Sequence, residues 1–227
     1  MTTAPSATHR IALVDDHTLV REGMKMFVEN LEGYACAWTG ADAAEAMRML
    51  EKDMPDALVV DITLPGRNGL ELIKDVRALY PDLPVLVVSM HDETLYAQRA
   101  LKAGAKGYVM KDAPYGAFEK ALQRILSGGI ALSETMSETI LLAFSSGEKP
   151  GPDGAIHQLS DREFEVFQLI GEGRSTSQIA LTLKISPKTV DVHKLKIRSK
   201  LKLTEGTSLT SFAIRWVEMR KLGRRSE

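Results

Sequence analysis

The chain has 227 residues, of which 44% are hydrophobic and 26% charged, as in an ordinary globular protein of one or two domains. No apolar run approaches the ~20 residues that a membrane span needs, so no membrane association is predicted. Residues 1–10 lack the apolar stretch of a signal peptide and are predicted to be a disordered leader. Cys36 is the only cysteine, which excludes an internal disulfide and favours a reducing compartment. Together these features predict a cytoplasmic protein.

The net charge of −1 conceals an asymmetry along the chain. From Gln158 onward there are 14 Lys and Arg residues against 8 Asp and Glu, a surplus of six positive charges. Residues 1–157 carry 15 against 22, a surplus of seven negative charges. An acidic part joined to a basic part predicts that only the second part meets a polyanion.

Residues 9–127 alternate between short β-like runs and stretches with helical spacing of apolar residues. The predicted strands are Ile11–Val14, Cys36–Thr39, Ala57–Val60, Val85–Val88 and Gly107–Met110. Strands interleaved with helices of ten to fifteen residues predict right-handed crossovers and a parallel sheet covered on both faces. The pattern therefore predicts a first domain over 9–127 with a flavodoxin-like, doubly wound α/β fold of five parallel strands.

Residues 128–157 are predicted to contain a helix and a flexible linker. The linker is assigned to residues 145–157, which are rich in Gly, Pro and Ser and have no periodicity. No strand pattern recurs after it, so 158–222 is predicted to be a small all-α domain. Its first helix follows Ser160, which with Glu163 has the form of a capping box.

Two helices of this second domain have the spacing of a helix-turn-helix. Ser175–Leu183 and Pro187–Leu201 are separated by a turn over residues 184–186. Val190, Ile197 and Leu201 share the side of the second helix that is predicted to be buried. The opposite side carries Lys188, Asp191, Val192, Leu195 and Lys196, which are available to a major groove. The flanks carry Lys194, Arg198, Lys200 and Lys202, which are predicted to hold phosphates.

Charged and hydroxyl side chains follow four of the five predicted strands. Asp15 and Asp16 follow the first strand, Asp61 the third, Ser89 the fourth and Lys111 the fifth. Ligands of open parallel sheets bind at the carboxyl ends of strands, so these residues are expected to converge. Carboxylates and a backbone carbonyl suit Mg²⁺, while a lysine and the metal can neutralise a phosphoryl group attacked by one carboxylate. Taken singly, each acid can have a purely structural role, such as capping the next helix in the case of Asp16.

These residues and their neighbours resemble the receiver domain of two-component response regulators. The matching segments are Asp15-Asp16-His17, residues 59–70 around Asp61, Ser89, and Gly107-Tyr108-Val109-Met110-Lys111-Asp112. The resemblance covers about residues 9–127. It implies that Asp61 is the phospho-acceptor and that Asp16, Asp61 and the carbonyl of Thr63 bind Mg²⁺. Asp15 would assist, often through a water.

The resemblance also implies a switch. Lys111 and Ser89 would contact the phosphoryl group. Ser89 would be drawn towards this group, and Tyr108 would turn inward. Tyr108 can alternatively be a static packing aromatic, and the side chain of Thr63 can simply face solvent. His91, two residues after Ser89, is expected to tune the phosphoryl lifetime at most.

The second domain resembles the LuxR-type helix-turn-helix, and the whole chain resembles the NarL/FixJ family of transcription factors. The matching residues are Leu159–Val166, Gly173, Ile179-Ala180, Leu183, Ile185–Val190, His193, Ile197 and Lys200-Leu201. The residues expected to contact DNA are Lys188, Thr189, Asp191, Val192, Lys194, Leu195, Lys196 and Arg198. The implied partners are a sensor histidine kinase, double-stranded DNA and a second copy of the chain when phosphorylated. The receiver would be no enzyme beyond its own phosphoryl transfer and slow dephosphorylation.

Asp191 departs from the family pattern, which usually has Lys or another residue suited to the groove there. A carboxylate is repelled by phosphates but accepts a hydrogen bond from cytosine N4. We therefore expect an unusual half-site rather than loss of DNA binding.

Three other functions fit parts of the sequence. A haloacid-dehalogenase-type phosphatase needs a second acid two residues after its aspartate, where this chain has Thr63. A LuxR-type receptor for a small ligand would not have a repeating βαβ domain with an acidic pocket. The strongest alternative is a phosphorylation-independent DNA-binding regulator that uses the receiver as a dimerisation module. The complete set of acid, hydroxyl and lysine argues against it without excluding it.

Overall fold

The computed structural model describes residues 8–145, 156, 158–204 and 206–223. Most of the predicted leader (residues 1–7) and most of the predicted linker (residues 146–155 and 157) lie outside these ranges. The chain divides into two compact units, Met1–Ser146 and Gly147–Glu227, here called the N-terminal and C-terminal units.

The N-terminal unit is built on a parallel sheet with the strand order β2-β1-β3-β4-β5. The strands are β1 (His9–Val14), β2 (Tyr34–Gly40), β3 (Ala57–Val60), β4 (Val85–Ser89) and β5 (Gly107–Met110). The helices are α1 (Thr18–Asn30), α2 (Ala43–Lys52), α3 (Gly69–Leu79), α4 (Glu93–Ala103), α5 (Tyr115–Leu126) and α6 (Glu134–Ser145). The predicted flavodoxin-like fold is confirmed. Strand β1 starts at His9, so the predicted leader was two residues too long.

Hydrophobic patterning explains the order of the layers. Strands β3 and β4 are buried at every residue, because helices cover both faces of the sheet. One face packs in a core that includes Ile11, Val59 and Leu86 of the sheet and Leu122 of α5. Three helices begin at a capping side chain: Asp42, Asn68 and Asp92 accept hydrogen bonds from backbone N–H groups in the first turns of α2, α3 and α4.

The described residues of the C-terminal unit form four helices, α7 (Asp161–Gly171), α8 (Thr176–Thr182), α9 (Pro187–Lys200) and α10 (Leu209–Gly223). Ser160 and Ser175 form complete capping boxes at the starts of α7 and α8, and Ser186 with Pro187 starts α9. The rings of Phe164 and Phe167 pack edge-on against Trp216, which joins α7 to α10. Helix α9 buries Val190 and Ile197 completely, so one side of it packs in the core of this unit.

Within the described part of the chain, no helix is both long enough and apolar enough to cross a membrane.

Candidate functional site

The carboxyl ends of β1, β3 and β5 bring two acids and a lysine into contact. Lys111 Nζ lies 2.6 Å from Asp15 Oδ2 and 2.8 Å from Asp61 Oδ2. Both acids are buried, at 2% and 4% exposure, and Ser89 at the end of β4 is completely buried. These residues were expected to converge from their positions after the strands, and the sheet order brings them together.

The charges in this pocket depend on one another. Burial raises the pKa of Asp61 above its ordinary value, although the ammonium of Lys111 opposes the shift. Burial alone would lower the pKa of Lys111, but the charges and hydrogen bonds of Asp61 and Asp15 raise it overall. Lys111 is therefore held as an ammonium between two carboxylates, where it can also neutralise an incoming anion.

Asp16 lies beside the pair and contacts a residue that the sequence interpretation left without a role. His17 Nδ1 is 2.6 Å from Asp16 Oδ1, and the His17 backbone N–H donates to Asp15 Oδ1 at 2.8 Å. His17 is also the N-cap position of α1, and no side chain caps that helix. Asp16 therefore does not cap α1, which excludes the structural role that the sequence left open for it. The sequence feature that could have pointed to a role for His17 in this cluster is its position directly after two aspartates.

The acidic cluster has the composition of a site for a hard divalent cation. One ligand atom from each of Asp15, Asp16, His17 and Asp61 lies within 4.8 Å of the others. Asp61 Oδ1 is buried and has no hydrogen-bond partner among the described residues. A buried carboxylate oxygen without a donor is costly unless a cation or a proton reaches it. The donor set, mainly carboxylate oxygen, fits such a cation.

The loop after β3 is held close to Asp61 by two residues. Asn68 is 1% exposed and caps α3, and Gly69 N–H donates to the Ile62 carbonyl at 2.8 Å. A Cβ added to Gly69 would lie 2.0 Å from the Asp61 carbonyl oxygen. Only glycine therefore allows the start of α3 to pack directly on the backbone of Asp61.

His91 connects the residues that were predicted to form the switch. Its Nε2 lies 2.9 Å from Thr63 Oγ1, its backbone N–H donates to Ser89 Oγ at 3.3 Å, and its carbonyl accepts from Tyr108 Oη at 2.6 Å. Its ring also stacks on Tyr96 of α4 at a centroid distance of 4.5 Å. The Thr63 side chain is thus engaged rather than merely facing solvent. No sequence pattern predicts these contacts, because they join two loops, the strands β4 and β5 and the helix α4, which are far apart along the chain.

Burial decides the protonation of this network. Burial, reinforced by the charge of Lys111, lowers the pKa of His91 to about 4, so its imidazole is neutral near pH 7. Tyr108 is 2% exposed, so its side chain lies inside the domain in this structure, and burial raises its pKa. A neutral donor at Tyr108 therefore holds the His91 carbonyl.

Helix α9 presents two different sides in the C-terminal unit. Val190 and Ile197 are fully buried, and Leu201 after the helix is also buried, as predicted. Lys188, Asp191, Val192, Leu195 and Lys196 are all exposed, as are Pro187 and Ser199 towards the two ends of the helix. The side predicted to face a groove is thus accessible within this unit.

The residues on the flanks of α9 are partly engaged in contacts within the unit. Lys194 Nζ contacts Thr176 Oγ1 of α8 and lies 3.6 Å from Asp191. Arg198 donates to two backbone carbonyls that follow α9, and Lys200 lies 2.6 Å from the buried Glu163. Thr189 is half-buried, and its N–H donates to the capping Ser186. The phosphate contacts predicted for the lysines and arginine would compete with these bonds.

Comparison with known proteins agrees with both units. The model of the response regulator receiver domain matches residues 11–123, and that of bacterial regulatory proteins of the luxR family matches residues 157–213. The chain is 32% identical to the transcriptional regulatory protein DegU of Brevibacillus brevis, over 93% of this chain and 96% of DegU. It is 30% identical to the oxygen regulatory protein NreC of Staphylococcus carnosus, over 91% of this chain and 97% of NreC.

A solved structure gives the same result. The chain is similar to RcsB from Salmonella enterica serovar Typhimurium, solved bound to the promoter rprA in the presence of the phosphomimetic BeF₃⁻. The TM-score is 0.59 at 25% identity, with 91% of this chain and 98% of that chain covered. A receiver fold with an acidic pocket, followed by a LuxR-type helix-turn-helix, defines the class of two-component response regulators. The chain belongs to the NarL/FixJ family of these regulators.

Proposed function

We propose that the protein is a transcriptional regulator whose DNA binding is switched by phosphorylation of Asp61. The observation that carries the proposal is the buried contact of Lys111 with both Asp61 and Asp15 at the carboxyl ends of three strands. Two like charges buried around one ammonium cost stability and are typical of a site that binds or transfers charge.

The proposed reaction is a phosphoryl transfer from a histidine kinase. A carboxylate oxygen of Asp61 attacks phosphorus, the P–N bond to the kinase imidazole breaks, and an acyl phosphate forms. The leaving imidazole keeps the electron pair and takes a proton. Lys111 holds an oxygen of the transferred group by charge, and the Ser89 hydroxyl donates to another. The receiver acts only on its own aspartate and later loses the group slowly by hydrolysis.

The acidic cluster would hold Mg²⁺ for this reaction. Asp16 and Asp61 would be ligands with the Thr63 carbonyl, and Asp15 would bind through a water. The bound cation would neutralise charge on the phosphoryl oxygens. Asp61 Oδ1, which has no hydrogen-bond partner among the described residues, supports this assignment.

The output would be binding of a homodimer to double-stranded DNA. The exposed side of α9 and the positive surplus of residues 158–227 support contact with a polyanion. The similarity to RcsB, which was solved on promoter DNA, supports the same partner. Phosphorylation would favour the form that pairs and frees α9, because a group shifts an equilibrium only by stabilising one state.

The test is to incubate the protein and Asp61→Asn with Mg²⁺ and a small phosphodonor. Phosphorylation is followed on a phosphate-affinity gel, and oligomeric state by size exclusion. We expect modification and dimer formation in the wild type alone. Asn keeps the size of the side chain but removes the nucleophilic charge, so the pair is matched.

Two results would overturn the proposal. Absence of modification in both proteins would remove phosphoryl control. Dimers in both proteins before treatment would favour the phosphorylation-independent regulator that uses its receiver for dimerisation. Repeating the gel with a chelator in place of Mg²⁺ tests the metal separately, and undiminished modification would exclude its role.

A further inference from the structure

The centre of the exposed side of α9 is apolar. Val192 is 42% exposed and Leu195 is 69% exposed. At about 100° per residue, both lie within roughly 40° of the direction of Lys188 on the helix. The fully buried Val190 and Ile197 point to the opposite side. These exposed aliphatic side chains follow Lys188 along one line of the helix, with Asp191 and Lys196 on either side of that line, and packing within the unit does not account for them.

Helix α9 lacks the side chains that most often read adenine. It contains no Asn or Gln, and Arg198 is its only arginine. Arg198 donates to the carbonyls of Thr207 and Thr204 at 3.3 and 3.4 Å, which ties its guanidinium to the backbone after the helix. Bidentate reading of adenine by Asn or Gln is therefore unavailable on this helix, and on its exposed side guanine can be read only by Lys188 and Lys196.

We propose that Val192 and Leu195 read thymine by contact with its C5 methyl group in the major groove. The inference rests on the proposed DNA-binding function and names the base class that the helix selects. The thymine methyl is the one apolar group that a base pair presents in the major groove, so it is the partner for exposed aliphatic side chains. Their spacing of three residues on one side of the helix allows each to contact a different base step.

The surroundings of the apolar pair favour DNA over a protein partner. Lys188 and Lys196 lie on the same exposed side, so a polyanion gains from approaching it. Two aliphatic side chains are also far too small for a protein interface, which commonly buries more than about 1,200 Å². A groove about 12 Å wide admits one helix and places its central residues on the base edges.

The test starts by selecting binding sites from a random duplex pool with the full chain, untreated and treated with a small phosphodonor. The selected site is then resynthesised with deoxyuridine replacing one thymine at a time, which removes only the methyl group. We expect thymine to be enriched at two positions of each half-site, and each methyl lost at those positions to weaken binding about fourfold.

Three variants assign the contacts. Leu195→Ala should abolish the difference between thymine and deoxyuridine at one position and keep it at the other, and Val192→Ala should do the reverse. Lys202→Gln, on the flank predicted to contact phosphates, is the control, since it should weaken all sequences alike and leave both ratios unchanged. All three residues are exposed, so the variants should fold as the wild type does.

The outcomes separate the two proposals. Recovery of a specific site that lacks enriched thymine, or that tolerates deoxyuridine everywhere, overturns thymine reading but leaves DNA binding intact. Failure to select any sequence from either sample overturns both. A thymine preference that persists in Leu195→Ala and Val192→Ala would also overturn the assignment, because other residues must then read the methyl groups.

Discussion

In the N-terminal unit two buried acids share one cation, whereas in the C-terminal unit Glu163 and Glu165 each have a cation of their own. Asp15 and Asp61 both contact Lys111, at 2.6 and 2.8 Å. Glu163 pairs with Lys200 at 2.6 Å, and Glu165 with Arg162 at 2.8 Å. The burial of the four acids is similar, at 2–4% exposure.

The difference lies in what else these groups do. Glu163 also accepts the Ser160 N–H in a capping box, and Arg162 donates to the Leu183 carbonyl between α8 and α9. Burial would raise the pKa of Glu163, but Lys200 and Ser160 lower it overall. Each of these two buried acids is therefore paired with one cation, and the bonds of Lys200 and Arg162 join helices of this unit. In the receiver, by contrast, an excess of negative charge is held in a pocket, so burial of charge alone does not identify a functional site.

Removing the shared cation should have the largest effect. In Lys111→Met, two buried carboxylates face each other without an ammonium, and the free energy of unfolding should fall by about 4 kcal/mol in a chelator. Excess Mg²⁺ should restore much of it, because a cation that binds only the folded state stabilises that state. Urea unfolding with and without Mg²⁺ measures both changes. Lys106→Met, at an exposed position next to β5, is the control. A loss that Mg²⁺ does not reduce would show that the pocket is scaffolding, like the pairs of the other unit.

Breaking a balanced pair should cost less and should be insensitive to Mg²⁺. In Glu165→Ala, Arg162 keeps its bond to Leu183 but loses its buried counter-ion, so the C-terminal unit should be destabilised by about 3 kcal/mol. Thermal or urea unfolding of the full chain measures the change, and Glu218→Ala on the exposed side of α10 should alter it by less than about 0.5 kcal/mol. Equal stability of the two variants would mean that this pair contributes nothing.

Acid should weaken the receiver through His91. The folded-state pKa of about 4 lies below the ordinary value of 6.5, so the unfolded chain binds more protons between these values. Stability from this group is therefore complete above pH 6.5 and is lost as pH falls towards 4, by about 2 kcal/mol. Urea unfolding in a chelator should show this slope in the wild type and a flatter one in His91→Gln. Thr63→Ala keeps the imidazole and should keep the slope. The same slope in His91→Gln would assign it to another group.

The smallest effect should come from an exposed acid. Asp191→Lys replaces a carboxylate that repels phosphates, so affinity for DNA of any sequence should rise by about 1 kcal/mol, with a steeper salt dependence. It should also remove the acceptor for cytosine N4, so band shifts should show a changed order of preferred sequences. Lys202→Gln, which removes a positive charge on the flank predicted to contact phosphates, should lower affinity and keep the order. An unchanged order in Asp191→Lys would exclude a reading role for Asp191.

The architecture and the outline of the site could be predicted from the sequence. Continuous apolar runs at 57–60 and 85–88 predict central parallel strands. A strand that is buried on both faces of the sheet has apolar residues at every position, whereas a strand with one exposed face alternates apolar and polar residues. Acids placed directly after such strands must then meet at one edge of the sheet. The spacing of apolar residues, with a period of 3.6 residues in helices and 2 in strands, indicates where each element lies, and it does so from neighbouring residues alone.

Contacts between side chains were decided by the tertiary structure. Lys111 contacts both acids, and His91 contacts Thr63, Tyr96 and Tyr108. These contacts depend on the paths of loops and on side-chain rotamers, which the periodicity of the sequence does not encode. The same holds for Arg198 and Lys200. Their charges predicted contacts with phosphates, but in the folded chain they bind a backbone carbonyl and a carboxylate of their own unit. The sequence by itself therefore determined which elements form and which residues follow each strand, because burial periodicity is local. Only the folded chain decided which charges meet, because interactions over 3–4 Å depend on positions set by the whole core.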